Sequence, residues 1–310
     1  MTKPTPWPDG KAFAFTILDD CDYATLENVP EVYAVLADLG FYTTRTVWPL
    51  EGEGPALAAG ATCADSHYLA WLHALQERGF EIGWHLASYT SSNRGRTVKG
   101  LDLFKQMFGR YPRVMSSHPG CVENLYWGDG RLSGLNRLSY NVLTALRFRD
   151  LFQGHIEGSD YFWGDLCRER IDYVANFGYS DPNTLDSVPF MPYHDPHRPF
   201  VNAWFGMTEA PEKHSFLEAI SEENQDRLEE QGGACILHTY FACGFYKEGE
   251  VDRRFRELMD RLCRKNGWFV PVSTLLDRLR ETNGLHTITA PERHNLERAW
   301  VKYKMRVGRS

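Results

Sequence analysis

The stretch Ala12-Phe13-Ala14-Phe15-Thr16-Ile17-Leu18-Asp19-Asp20 decides the fold. An apolar run from Ala12 to Leu18 ends directly in two carboxylates, which reads as a strand buried on both faces with polar groups at its C-terminal end. Working outward, Pro30 opens a helical pattern through Val32, Val35, Leu36 and Leu39 that Gly40 stops. Phe41 to Trp48 is a second strand. Asp65 caps a helix running to Arg78, and Phe80 to Trp84 is a third strand with His85 at its end. A helix from Thr97 to Phe108 and a strand from Arg113 to Ser116, ending near His118, complete this half. Order returns with a helix at 221–230, a strand at Ala234 to His238 and a helix at 251–265. A strand at 268–272 and a helix at 274–282 close the pattern. Strands alternating with helices, with polar residues gathered at strand C-termini, predict an α/β chain folded as a distorted (β/α) barrel.

The barrel is expected as one domain over residues 11–282, with a long irregular insertion at about 122–218. That insertion is rich in Trp, Tyr, Asn, Pro and Gly, apart from one helix around Asp160 to Val174. The tail, 284–310, carries six Lys/Arg against two Glu and reads as a basic amphipathic helix docked on the barrel. The net charge of −7 argues against nucleic acid as a partner. No apolar run approaches the ~20 residues of a membrane helix. Met1 to Lys11 is Pro-rich and lacks the apolar core of an export signal. The seven cysteines have no CxxC spacing and read as free thiols, so a cytoplasmic protein is expected.

In a parallel barrel all strand C-termini open on one face, so Asp19, Asp20, His85, His118 and His238 can converge there. Adjacent carboxylates after a strand point different ways: one can coordinate a cation while the other acts as general base toward a water. An Asp with two His suits a divalent metal, Zn²⁺ first.

Several segments resemble the motifs of the NodB-type polysaccharide deacetylases. Thr16-Ile17-Leu18-Asp19-Asp20 looks like that family's first motif, and Glu81-Ile82-Gly83-Trp84-His85 resembles its second, which begins an HxxxH pair. Ala234 to His238 is similar to its late strand, and Gly267 to Leu276 to its final strand and helix. The resemblance spans roughly 11–125 and 220–282. It implies a metal-dependent hydrolase that removes an acyl group from an N-acylated sugar. Carried over, Asp19 is the general base, Asp20 and His85 are metal ligands, and His238 is the general acid. The family's second histidine falls at Tyr89 here, so His118 is expected to supply the third ligand, with Tyr89 the alternative. The arginine that steadies the base has no clear position; Arg168 and Arg170 are candidates. A cytoplasmic substrate would be an intermediate of surface-polysaccharide synthesis.

Aromatic residues make up 14% of the chain and cluster in the irregular middle, at Tyr126, Trp127, Tyr161, Trp163, Tyr193 and Trp204. Sugar C–H faces stack on such rings, and Trp48, Trp84, Trp127 and Trp163 are expected to bind the carbohydrate; the alternative is that they are core. Two rival readings stay open. The loss of the second histidine fits a barrel that binds carbohydrate without cleaving it. Asp20-Cys21-Asp22 is a DxD that in a glycosyltransferase would hold a metal and a nucleotide sugar. A further metal site could lie at His194-Asp195-Pro196-His197.

Overall fold

The computed structural model describes residues 7–307; the start of the Pro-rich N-terminus and the last three residues of the basic tail lie outside the described residues. Seven parallel strands close a barrel: β1 (Phe13–Asp19), β2 (Thr44–Val47), β3 (Glu81–Trp84), β4 (Val114–Met115), β5 (Tyr173–Tyr179), β6 (Ala203–Glu209) and β7 (Ala234–Thr239). They pair in that order, and β7 returns to β1 along its whole length, from Ala14↔Ala234 to Asp19↔Thr239. The contact between β1 and β2 is confined to Leu18 and Asp19 at the mouth. At the base, a short eighth strand, β8 (Gly267–Phe269), takes over the same edge of β1 at Phe13 to Phe15.

All seven residues of β1 are buried, as a strand covered on both faces requires. The two-residue alternation of a strand divides them. Phe13, Phe15 and Ile17 pack outward with Val32, Tyr33 and Leu36 of the first helix (Pro30–Asp38), whereas Ala14 and Leu18 join the cluster that fills the barrel. This parity sends Asp19 outward and Asp20 inward.

Helix boundaries follow their capping residues. The Asp65 side chain accepts from the backbone N–H groups of His67 and Tyr68 at the start of the helix Ser66–Glu77. Asn93 caps Arg94–Phe108, which stops at Gly109 with φ 80°. Gly100 in that helix lies against the end of β3: a Cβ there would stand 2.8 Å from the Ala87 Cβ and 3.1 Å from the Trp84 ring.

The stretch at 122–218 is not one insertion, because β5 and β6 within it are barrel staves. The helix expected at 160–174 is Gly164–Arg170, and its last residues already belong to β5. Asn176, Gly178 and Gly206 interrupt the apolar pattern of these two strands and hide it in the sequence. The tail forms a helix, Ala290–Val307, that docks through Leu296, Trp300 and Val301. Its buried Glu297 accepts bonds from Ser133, Asn136 and Arg198, tying it to the excursions that follow β4 and β5. Among the described residues, no helix is long and apolar enough to cross a membrane.

Candidate active site

The loops after β1, β3 and β4 bring Asp22, His85 and His118 together at the barrel mouth, all three buried. His85 Nε2 stands 2.9 Å from Asp22 Oδ2, His118 Nδ1 stands 3.1 Å from Asp22 Oδ1, and the two ring nitrogens are 3.3 Å apart. Ligands at 2.0–2.1 Å around a tetrahedral cation are separated by roughly 3.3 Å, so the three atoms fit a shared ion. His85 Nδ1 faces the Ser116 carbonyl at 3.2 Å, which places its proton there and leaves the Nε2 lone pair directed at the trio. Leu86, with φ 69°, turns the chain immediately after His85. Trp48 closes the far side, with its ring centroid 5.5 Å from that of His85 and 5.1 Å from that of His118.

Asp22 is therefore the carboxylate of the trio, in place of the expected Asp20. Asp20 lies behind His85, 3.6 Å from its Nδ1. Its Oδ2 accepts from Ser116 Oγ at 2.8 Å and meets His238 Nε2 at 2.9 Å, and its Oδ1 accepts from Thr46 Oγ1 at 2.9 Å. Burial alone would raise the Asp20 carboxyl, but the His85 and His238 imidazoles outweigh it and hold it below its ordinary range. Burial would lower His238, yet its bond to Asp20 and the nearby Glu209 charge raise it above the usual imidazole value. Asp22 is likewise held well down by His85 and His118 against its burial.

Asp19 faces away from the mouth. The buried Arg45 guanidinium ion-pairs with it, Tyr33 Oη donates to Oδ2 at 2.8 Å, and the Phe241 N–H donates to Oδ1 at 2.8 Å. Asp19 does not line the cavity that Asp20 and His238 line, so the expectation of Asp19 as general base toward a water there does not fit the geometry. Its arginine is Arg45, a charge in the middle of Thr44-Arg45-Thr46-Val47, a signal the sequence offered. Arg170 instead pairs with Asp102, and the Arg168 carbonyl accepts from Asn202.

Tyr89 is not among the trio: its hydroxyl donates to Glu51 and its ring packs edge-on against Trp48. His194 bonds the Asn202 carbonyl, and the His197 N–H is held by Asp195, both away from the trio. Of the four expected sugar-binding tryptophans, Trp84 is core against Phe104, and Trp163 is core with its Nε1 donating to the Glu123 carbonyl. Trp48 is buried behind the histidines. Trp127 alone lines the cavity that opens from Asp20 and His238.

No family model and no curated protein sequence matches the chain. Its likeness lies in structure. A Mycobacterium smegmatis protein assigned as a polysaccharide deacetylase matches with a TM-score of 0.54 at 14% identity, over 94% of this chain and 98% of that one. The allantoinase PuuE matches with a TM-score of 0.52 at 11% identity, over 91% of this chain and 95% of that one. The fold is that of the polysaccharide deacetylases. In this deacetylase-type barrel the trio and the Asp20–His238 pair share the face where parallel barrels carry their chemistry.

Proposed function

We propose that the protein is a metal-dependent amide hydrolase that removes an acyl group, acetyl in the simplest case, from an N-acylated sugar. The observation that carries this reading is the adjacency of a buried Asp22–His85–His118 trio to a hydrogen-bonded Asp20–His238 pair lining a cavity. Asp22, His85 and His118 would hold a divalent cation, Zn²⁺ by the character of the donors. Once bound, it would serve as a Lewis acid toward the amide carbonyl and acidify water.

The chain's own groups supply the proton transfers. Asp20, kept ionised by its two imidazole neighbours, accepts the proton of the attacking water. His238 is held in place through Nε2, while its Nδ1 is buried without a hydrogen-bond partner among the described residues and is the nitrogen able to protonate the departing amine. Thr46 and Ser116 fix the Asp20 carboxylate by one bond each.

Acetate release from N-acetylated monosaccharides tests the reading. Activity that is lost on chelation, returns with Zn²⁺, and falls on the order of 10²–10⁴ in Asp20→Asn is expected. Undiminished hydrolysis after exhaustive chelation would overturn it.

A further inference from the structure

We infer that the substrate is a single small molecule carrying an anionic group, a carboxylate or a phosphate, and that Arg131 binds that group. This rests on the hydrolase reading only for the reacting end of the cavity.

The cavity measures about 160 Å³. Asp20, Ser116 and His238 line it together with Trp127, Arg131 and Trp300. Arg131 ends the 3₁₀ turn Gly128–Arg131 and is only 5% exposed. Its guanidinium carbon lies 3.4 Å from the centroid of the Trp127 ring and 5.0 Å from that of Trp300, so rings and not carboxylates surround the charge. Nε and Nη2 are buried with no hydrogen-bond partner among the described residues. These two donors share one edge of the planar group, the edge that grips a carboxylate or phosphate by two parallel bonds.

The neighbouring charges do not neutralise it. Glu209, the other acid of this region, is engaged by Lys304 at 2.8 and 3.0 Å, and Arg198 adds a like charge. Burial pulls Arg131 down to about 10, which still leaves it cationic at neutral pH. A buried, unpaired cation is costly unless a partner arrives. Arg131 is one of the residues that line the cavity, so the partner that fits is a ligand seated there.

The walls also set the size of that ligand. Trp300 and Lys304 come from the C-terminal helix, and Trp127 to Arg131 from the excursion after β4; Glu297 and Ser133 bind the two together. A chain sliding past Asp20 and His238 would meet these walls. An amide and an anion on one small molecule would meet Asp20 and His238 and Arg131 in the same cavity.

Binding of N-acetylglucosamine, N-acetylglucosamine 6-phosphate and N-acetylmuramate, followed by calorimetry and tryptophan fluorescence, tests this. At least one anionic sugar should bind tenfold or more tighter than the neutral one, and which one separates phosphate from carboxylate. Inorganic phosphate should compete with it. Arg131→Gln should erase the preference, and Arg131→Lys should retain part of it. Equal binding of the neutral sugar, or a preference that survives Arg131→Gln, overturns the inference. If Arg131→Gln does not fold, as judged by circular dichroism, the wild-type competition decides, and no competition by phosphate overturns it. Anion-selective binding without acetate release would sink the hydrolase reading alone. Acetate release indifferent to anions would sink the Arg131 subsite alone.

Discussion

Replacing Asp19 with Asn separates a structural carboxylate from a catalytic one. Asp19 and Arg45 are both fully buried, and among the described residues the guanidinium has only the Tyr68 hydroxyl at 3.0 Å and the Asp20 carbonyl at 3.3 Å as other hydrogen-bond partners. Arg45 Nε has no hydrogen-bond partner among the described residues. An asparagine keeps the shape and its one oxygen can still accept from the Phe241 N–H, but its amide nitrogen then faces Tyr33 and Arg45, and the guanidinium is left as an uncompensated buried charge. Breaking such a pair from one side costs about 3–5 kcal/mol. For a chain of this size each kcal/mol moves the midpoint by roughly 2 °C, so Asp19→Asn should melt roughly 6–10 °C below wild type. The assay is thermal unfolding by circular dichroism of Asp19→Asn, Arg45→Met and the double variant, each with its metal content. The double variant should recover part of the loss, because the two residues are coupled. An Asp19→Asn protein that melts with wild type, retains its cation and yet is inactive would refute this reasoning and return the base role to Asp19.

Three further outcomes follow from single contacts. Glu123 is buried, and burial pushes its carboxyl up to about 8 with Ser92 and Arg96 offsetting only part of that cost. The folded state then binds a proton that the unfolded state releases above its ordinary value near 4.5, so stability is lost as pH rises from about 4.5 to 8 and levels off beyond. In urea unfolding at pH 5 and pH 8, Glu123→Gln should gain on wild type by about 3–4 kcal/mol between the two; parallel profiles would contradict the burial argument. Tyr89→Phe should leave Zn²⁺ affinity nearly unchanged in a titration of the apo protein, since its hydroxyl is engaged by Glu51, whereas His118→Ala should weaken it by more than tenfold. Gly100→Val should cost several kcal/mol and loosen the cation site, because its side chain would collide with Ala87 and Trp84 beside His85; wild-type midpoint and metal content would exclude that role.

The barrel was legible where strands are apolar and end in polar residues, as in β1, β3 and β7. It was obscured in β5 and β6, where Asn176, Gly178 and Gly206 break the pattern and long excursions separate the staves. His85, His118 and His238 could be placed at the mouth because each follows or ends such a strand. The acids were harder. Three carboxylates lie within four positions, and the strand's alternation decides which one faces inward. Phe13, Phe15 and Ile17 are bulky and outward, and Asp19 continues their face, so the parity was present in the sequence although the resemblance to a known motif pointed to the adjacent pair. Asp22 sits beyond the strand, where alternation no longer applies, and its place in the trio depends on the loop. Arg131 gave no local signal, because its isolation arises from Trp127 and from Trp300, which is 169 residues further along the chain.

Elemental analysis of purified wild type, Asp22→Asn and Asp20→Asn, each checked for folding, tests the central claim most directly. Wild type and Asp20→Asn should carry near one equivalent of divalent metal, and Asp22→Asn only a small fraction of that. Metal retained in full by Asp22→Asn and lost from Asp20→Asn would contradict the assignment of the trio.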